Sequence, residues 1–405
     1  MIHEIRIQNF KSIRDLTLRL SPVTVLVGRS GTGKSNFVLA VRFLRDILNG
    51  EQNGLQRLQV DWAATKPLPA TEDPTCFDVS FSVNGVDGEY HYSLHIPATG
   101  PAGGLLRESL TLGENTLFCQ EGAPTHVGGS GTFGGGLGGK ATWTTEPALV
   151  EVPPPGTIAL GRIPSLAEVV IAYTALTEGI GCYTFHNDVA KQLPVNSPFG
   201  QQPGVANGCG SGLDDVASNY LTTMKEIVSN LQDLSIRKNI VAALRRVNTD
   251  VVSVELNDIR KPTHAVVGHK FGDRILGLNL GQESEGFRRS LAHLLALYQR
   301  PPKQVLMFEH PEDGIHPGAL ALLAEEFLCT PDDGRGQVIL TTHSPGLLDH
   351  FTEDQIRVVE REDFCTKIGP VSSEQKAALR EELMDAGELL TVDPARLDVM
   401  ETASE

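Results

Sequence analysis

One run constrains this chain more than any other. "VTVLVGRSGTGKSNFVLAV", from Val23, holds the spacing G-x-x-x-x-G-K-S at Gly28, Gly33, Lys34 and Ser35. The run Val23–Val27 before Gly28, four of its five residues apolar, predicts a short buried strand. Apolar positions after it at Phe37, Val41, Leu44 and Ile47/Leu48 predict an amphipathic helix. A strand and a helix joined by so short a glycine-rich turn leave the first-turn N–H groups of the helix free, and these can curl around phosphate oxygens. In that arrangement Gly28, Arg29, Ser30, Gly31, Thr32, Gly33, Lys34, Ser35 and Asn36 form the cradle. Lys34 reaches the β- and γ-phosphates, and Ser35 offers its hydroxyl to Mg²⁺. The implied ligand is ATP or GTP.

Composition narrows the rest. With 405 residues the chain can bury a large core, and 40% hydrophobic content is ordinary for a globular protein. The longest apolar stretch, from Ile163, is interrupted by Glu168 and Glu178 and predicts a core helix rather than a membrane span. The start alternates charged and apolar residues, unlike a secretion signal, and the six cysteines show no C-x-x-C pair. Both features point to a reducing, cytoplasmic setting with neither zinc nor disulfides. A net charge of −16 disfavours bulk attraction to nucleic acid. The basic pairs Arg237-Lys238, Arg245-Arg246 and Arg288-Arg289 read as solvated helix faces.

The expected fold class is α/β: a mostly parallel central sheet flanked by helices, with an antiparallel β-rich N-terminal lobe and a helical insertion. Five segments follow from shifts in pattern. Residues 1–54 hold the first half of the core with the phosphate loop, and 55–162 a β-rich insertion. Residues 163–248 form a helical subdomain, 249–368 the second half of the core, and 369–405 one helix with an acidic tail. In the insertion, Asn84-Gly85 and Asp87-Gly88 supply hairpin turn chemistry. "GGSGTFGGGLGGK" at 128–140 is too rich in glycine to offset its ordering entropy and is expected to be a mobile loop.

The remaining chemistry lies in the last third. Ser284-Glu285-Gly286 precedes a helix with apolar positions at Phe287, Leu291, Leu294/Leu295 and Tyr298, so a hydroxyl and free N–H groups meet at its start. "QVLMFEHPEDGIHP" runs a buried strand into Glu309, His310, Glu312 and Asp313, and "GQVILTTHSP" runs another into Thr342-His343-Ser344.

In this order, "NFKSI", "GRSGTGKSN", Ser-x-Gly before a helix, "EHPEDGIHP" and "TTHSP" resemble the ABC-type AAA ATPases of the RecF, SMC and OLD group. The likeness covers residues 1–50 and 276–358. It implies a homodimer that sandwiches ATP and Mg²⁺, with Ser284 and Gly286 reaching the γ-phosphate held by the other protomer. It further implies that Glu309 and Ser35 orient the metal, that Asp313–Pro317 turns across the dimer seam, and that His343 senses the γ-phosphate. His310 stands where the family keeps its catalytic glutamate. A neutral imidazole can also take a proton, and Glu312 is a second candidate carboxylate, so slow hydrolysis is expected. The competing reading is a nucleotide-gated switch with negligible turnover.

The lack of Leu-Ser-Gly-Gly-Gln and the large insertions set the chain apart from transporter ATPases. No acidic strand ends follow the ATPase part as an attached nuclease would need, so a nuclease or effector partner would be a separate polypeptide. DNA enters as a partner, in repair or phage defence, through the resemblance alone. Gln192 is the candidate for a metal-coupling glutamine, and His186-Asn187 reads as a capped turn.

Overall fold

The computed structural model describes residues 1–49, 65–66, 72–98, 107–121, 130–134, 140–144, 160, 166–186, 189, 212–229, 234–257 and 263–398. The chain opens with β1 (Ile2–Phe10), β2 (Ile13–Arg19), β3 (Val23–Val27) and α1 (Lys34–Asn49). Six more strands follow: β4 (Thr75–Phe81), β5 (Tyr90–Ile96), β6 (Arg107–Leu112), β7 (Asn115–Glu121), β8 (Ser130–Gly134) and β9 (Lys140–Thr144). These pair with β1 and β2 in an antiparallel sheet of order β2-β1-β4-β5-β6-β7-β9-β8.

The middle of the chain carries α2 (Ala167–Leu176), β10 (Ile180–Tyr183), α3 (Tyr220–Ser229) and α4 (Leu234–Val247). Next come β11 (Val251–Asn257), β12 (His264–Phe271) and β13 (Arg274–Asn279), which make a three-stranded sheet of their own. The chain then closes the core with α5 (Glu285–Tyr298), β14 (Val305–Glu309), α6 (Pro317–Asp332), β15 (Gln337–Thr341), α7 (Pro345–Leu348), β16 (Ile356–Glu362) and β17 (Cys365–Pro370). A short α8 (Ser373–Arg380) follows.

The central sheet has the order β10-β14-β15-β3-β16-β17, parallel except for the last strand. Strands β3 and β15 are buried at every position, as a parallel sheet covered on both faces requires. The pleat sends alternate residues into two separate cores. Val23, Val25, Val27, Leu306, Phe308, Val338 and Leu340 pack with α4, α5 and α6. Leu26, Val305, Met307 and Ile339 face the other way, onto α1 and the antiparallel sheet. The apolar positions expected for α1 and α5 are all buried.

Four expectations need correction. The region from Ile163 to Val247 is not uniformly helical, because β10 joins the central sheet beside β14. The glycine-rich run read as a loop contains β8 and reaches the start of β9, which pair antiparallel. The single C-terminal helix stops at Arg380, and a 3₁₀ turn at Ala386–Leu390 replaces its second half. Between them Glu382 has φ 54, a left-handed conformation that no α-helix can carry.

The fourth concerns Arg288 and Arg289, which are buried rather than solvated. Arg288 donates to the carbonyls of Val189 and Glu283, and Arg289 to that of Asp313. Arg237 and Arg246 do sit at the surface, paired with Glu255 and Glu325. Among the described residues no helix is long and apolar enough to cross a membrane.

Candidate nucleotide site

Three adjacent parallel strands, β14, β15 and β3, end on the same edge of the central sheet. Their C-terminal ends deliver Glu309, Thr341 and the phosphate loop, with His310 and His343 in the turns just beyond. Sheet register therefore brings together residues that lie some 300 positions apart in sequence.

The loop from Gly28 to Gly33 is held by its own side chains and by two distant ones. The Lys34 ammonium, almost fully buried, donates to the carbonyls of Gly28 at 2.7 Å and Arg29 at 3.0 Å. Burial pulls its pKa down to about 8, against the opposing pull of the Glu312 carboxylate. Thr32 donates its hydroxyl to the Arg29 carbonyl. Beneath the loop, buried Thr366 donates to the Thr32 carbonyl at 2.8 Å and shares a 2.6 Å hydrogen bond with Ser12. Asn36 donates its amide to the same Ser12 hydroxyl at 2.6 Å. Gly33 is obligatory here. It has φ 110, and a Cβ would lie 1.9 Å from the Thr366 hydroxyl.

The facing strand ends are built from titratable groups. Glu309, half-buried, accepts a long 3.4 Å hydrogen bond from the Thr184 hydroxyl at the end of β10. His310 takes a left-handed turn with φ 49, while its N–H extends the ladder to the Thr341 carbonyl. Its ring stacks on that of His343, with centroids 4.9 Å apart and planes 11° from parallel. Glu312 ties the two turns together. Its Oε1 accepts the His343 N–H at 2.7 Å and lies 3.9 Å from His310 Nδ1.

The pKa shifts follow from this arrangement. The Glu312 carboxylate, 3.9 Å from Nδ1, raises His310 despite partial burial. Burial lowers His343, helped by the charges of Lys34 and His310. Burial would raise Glu312, but the nearby His310 ring and the hydrogen bond from the His343 N–H outweigh it and hold the carboxyl below its usual range.

Among the described residues no group of three or more His, Cys, Asp or Glu forms a metal cage. The groups that converge on the loop are nonetheless hard oxygen donors: Ser35 at the start of α1, Glu309, and Glu312. The Glu312 Oε2 is buried and makes no hydrogen bond. Such an orphaned carboxylate oxygen, with one hydroxyl and one further carboxylate, fits Mg²⁺, which takes few protein ligands and completes its shell with phosphates and water.

Ser284 and Gly286 are placed elsewhere. Ser284 caps α5, accepting the Phe287 N–H, and remains exposed. Gly286 packs so tightly on the Asp313–Pro317 turn that a Cβ would meet the Gly314 carbonyl at 2.8 Å. Arg289 ties the same turn to α5 through the Asp313 carbonyl. The expected signature serine and the seam turn thus form one surface, joined to the phosphate loop by none of the described hydrogen bonds. Gln192 and Asn187 lie outside the described residues.

Ser12, Thr184 and Thr366 were not anticipated as site residues. Ser12 could have been suspected from its place in "NFKSI", but a single threonine in a hairpin carries no sequence signal.

Two family models match the chain. "AAA ATPase domain" covers residues 1–68, and "AAA domain, putative AbiEii toxin, Type IV TA system" covers 165–349. No curated protein matches by sequence. Among solved structures, the SmcHead bound to the C-winged helix domain of ScpA is 14% identical, with a TM-score of 0.53, and covers 93% of this chain and 99% of its own. The Smc head with an extended coiled coil from Pyrococcus furiosus, bound to the C-terminal domain of ScpA, is also 14% identical. It has a TM-score of 0.52 and covers 94% of this chain and 99% of its own. Both show the head fold.

Proposed function

We propose that this chain, an ABC-type P-loop ATPase of the RecF/SMC-like group, binds ATP with Mg²⁺, closes as a homodimer around it and hydrolyses it slowly. The observation that carries the reading is the convergence of Glu312, His310 and His343 with buried Lys34 at one edge of the sheet.

In this reading the loop N–H groups and Lys34 hold the β- and γ-phosphates, and Lys34 leaves its carbonyl partners to do so. Ser35 and Glu309 would hold the metal, with Glu312 Oε2 in reach of its shell. When bound, Mg²⁺ would neutralise phosphate charge. His343, neutral because its pKa is lowered, donates one ring N–H to a γ-phosphate oxygen. His310 has its Nδ1 toward Glu312, so Nε2 is the ring nitrogen that orients the attacking water and takes its proton. Exposed Ser284 and half-buried Gly286, beside the seam turn, contact the γ-phosphate held by the partner protomer.

The raised His310 pKa supports a second reading. An imidazole kept protonated by Glu312 is a poor base, and ATP would then act as a gate that holds the closed dimer. Smc heads crystallised with ScpA suggest that a separate protein docks on the head, and a DNA-directed process in repair or phage defence is the setting we infer. Sizing the full chain with and without ATP and Mg²⁺ tests the common core. The expected result is a shift from monomer to dimer only with both present. A chain that retains no labelled ATP, or stays monomeric with it bound, overturns the proposal.

A further inference from the structure

The hairpin of β16 and β17 lies on the side of β3 opposite to β15. Its tip is tied to the phosphate loop at two points. Arg361 donates to the Gly31 carbonyl at 3.3 Å, and Thr366 donates to that of Thr32. Between them the two-residue turn Asp363-Phe364 has φ 48 and φ 63. Both residues are left-handed, as a type I′ turn demands; Asp363 tolerates this form, but a bulky residue such as Phe364 adopts it only at a cost. Phe364 is also 69% exposed, and the Arg361 guanidinium lies 5.1 Å from its ring centroid. A strained backbone carrying an exposed aromatic ring beside a phosphate loop calls for a ligand.

The polarity of the site says which part of a ligand this is. Glu309, His310 and His343 gather on the β14–β15 side of the loop. A nucleotide whose terminal phosphate points there carries its base away on the other side, where the hairpin stands.

We propose that Phe364 stacks on the base of the nucleotide held by the loop, with Arg361 fixing the ring and adding its charge beside the base. The inference rests on the nucleotide-binding reading above, and it assigns the hairpin the base of a nucleoside triphosphate as ligand. Stacking on one aromatic face needs no base-specific hydrogen bond, so it adds affinity without strong discrimination.

Calorimetric titration of the full chain with ATP and with inorganic tripolyphosphate, each with Mg²⁺, separates the two claims. Phe364→Ala should weaken ATP about tenfold, from the loss of one base–aromatic stack, and leave tripolyphosphate binding unchanged. Phe364→Trp should bind ATP at least as well as the native chain. If Phe364→Ala binds ATP like the native chain, or loses both ligands equally, the stacking role is overturned while nucleotide binding stands. If the native chain binds tripolyphosphate and ATP with equal affinity, the base makes no contact and the role again falls. If it binds neither, the nucleotide reading falls first and this one with it.

Discussion

The phosphate loop and the strand ends facing it are neighbours in one sheet, β3 against β15, but they are held in different ways. The loop is fixed from below by uncharged groups: Ser12, Asn36 and Thr366 hydrogen-bond one another and the Thr32 carbonyl, and Gly33 has no room for a Cβ. The strand ends are fixed by ionisable groups close to one another, His310 stacked on His343 with Glu312 hydrogen-bonded to the His343 N–H and 3.9 Å from the His310 ring. That underside carries no titrating group, although the Lys34 ammonium and the Arg361 guanidinium also donate to loop carbonyls. Groups that move a proton must change charge, so their geometry and their titration are bound together.

The comparison predicts different responses to mutation on the two sides. The largest effect should come from Lys34→Ala. It removes a buried ammonium that makes charge-assisted hydrogen bonds to loop carbonyls now and to phosphates when bound, so ATP retention should fall on the order of 100-fold or more. Filter binding with labelled ATP measures this. Retention within a few-fold of native would mean that the loop is not the anchor, and the contrast between the two sides would lose its first half.

His310 probes the other side. His310→Glu places a carboxylate at the strand end and should raise ATP turnover about tenfold, a general-base gain partly offset by the left-handed φ of 49 at that position. Turnover against pH sharpens the test. Because Glu312 raises the His310 pKa, the ring keeps its proton to higher pH than a free imidazole does. A proton-accepting His310 should therefore give a rate that climbs as pH rises past its ordinary value of about 6.5, and His310→Gln should flatten that climb. A steep climb that survives in His310→Gln would assign the base elsewhere. A native rate near zero at every pH, rescued by His310→Glu, would favour the gate.

Much of the phosphate side was legible in the sequence, because there the local pattern is the structure: an apolar run, a glycine-rich turn, an amphipathic helix. The strand ends were legible for a similar reason, since a fully apolar run that stops at charged residues marks where a buried strand leaves the core. The misreadings share a cause. The four residues of β10 are apolar and wholly buried, and without alternation a short strand reads like more of the preceding helix. Arg288 and Arg289 look solvated until their carbonyl partners arrive, Val189 and Asp313, at 99 and 24 positions away. Glu312 was a fallback for His310 in the sequence. Its grip on the His343 backbone depends on β14 and β15 being adjacent, a tertiary fact that spacing cannot encode.

The smallest predicted effect is also the most discriminating test of the neutral frame. Thr366→Val keeps the side-chain volume beneath Gly33 but removes the hydroxyl that serves both Thr32 and Ser12. The Thr32 carbonyl would then lose this donor, and the Ser12 hydroxyl, still bonded by Asn36, would lose one of its two partners in a half-buried setting, costing about 1 kcal/mol of stability. ATP affinity should drop only a few-fold, because the loop loosens without losing a phosphate ligand. Thr366→Ser keeps the hydroxyl and gives up one methyl, so it should recover most of both losses in a thermal melt and an ATP titration. If valine and serine instead behave alike, the loop is braced by volume and not by hydrogen bonding, and the two sides of the site differ less than their atoms suggest. Volume alone, however, would leave unexplained why Ser12, Asn36 and Thr366, from three distant parts of the chain, all bring a polar group to this one point.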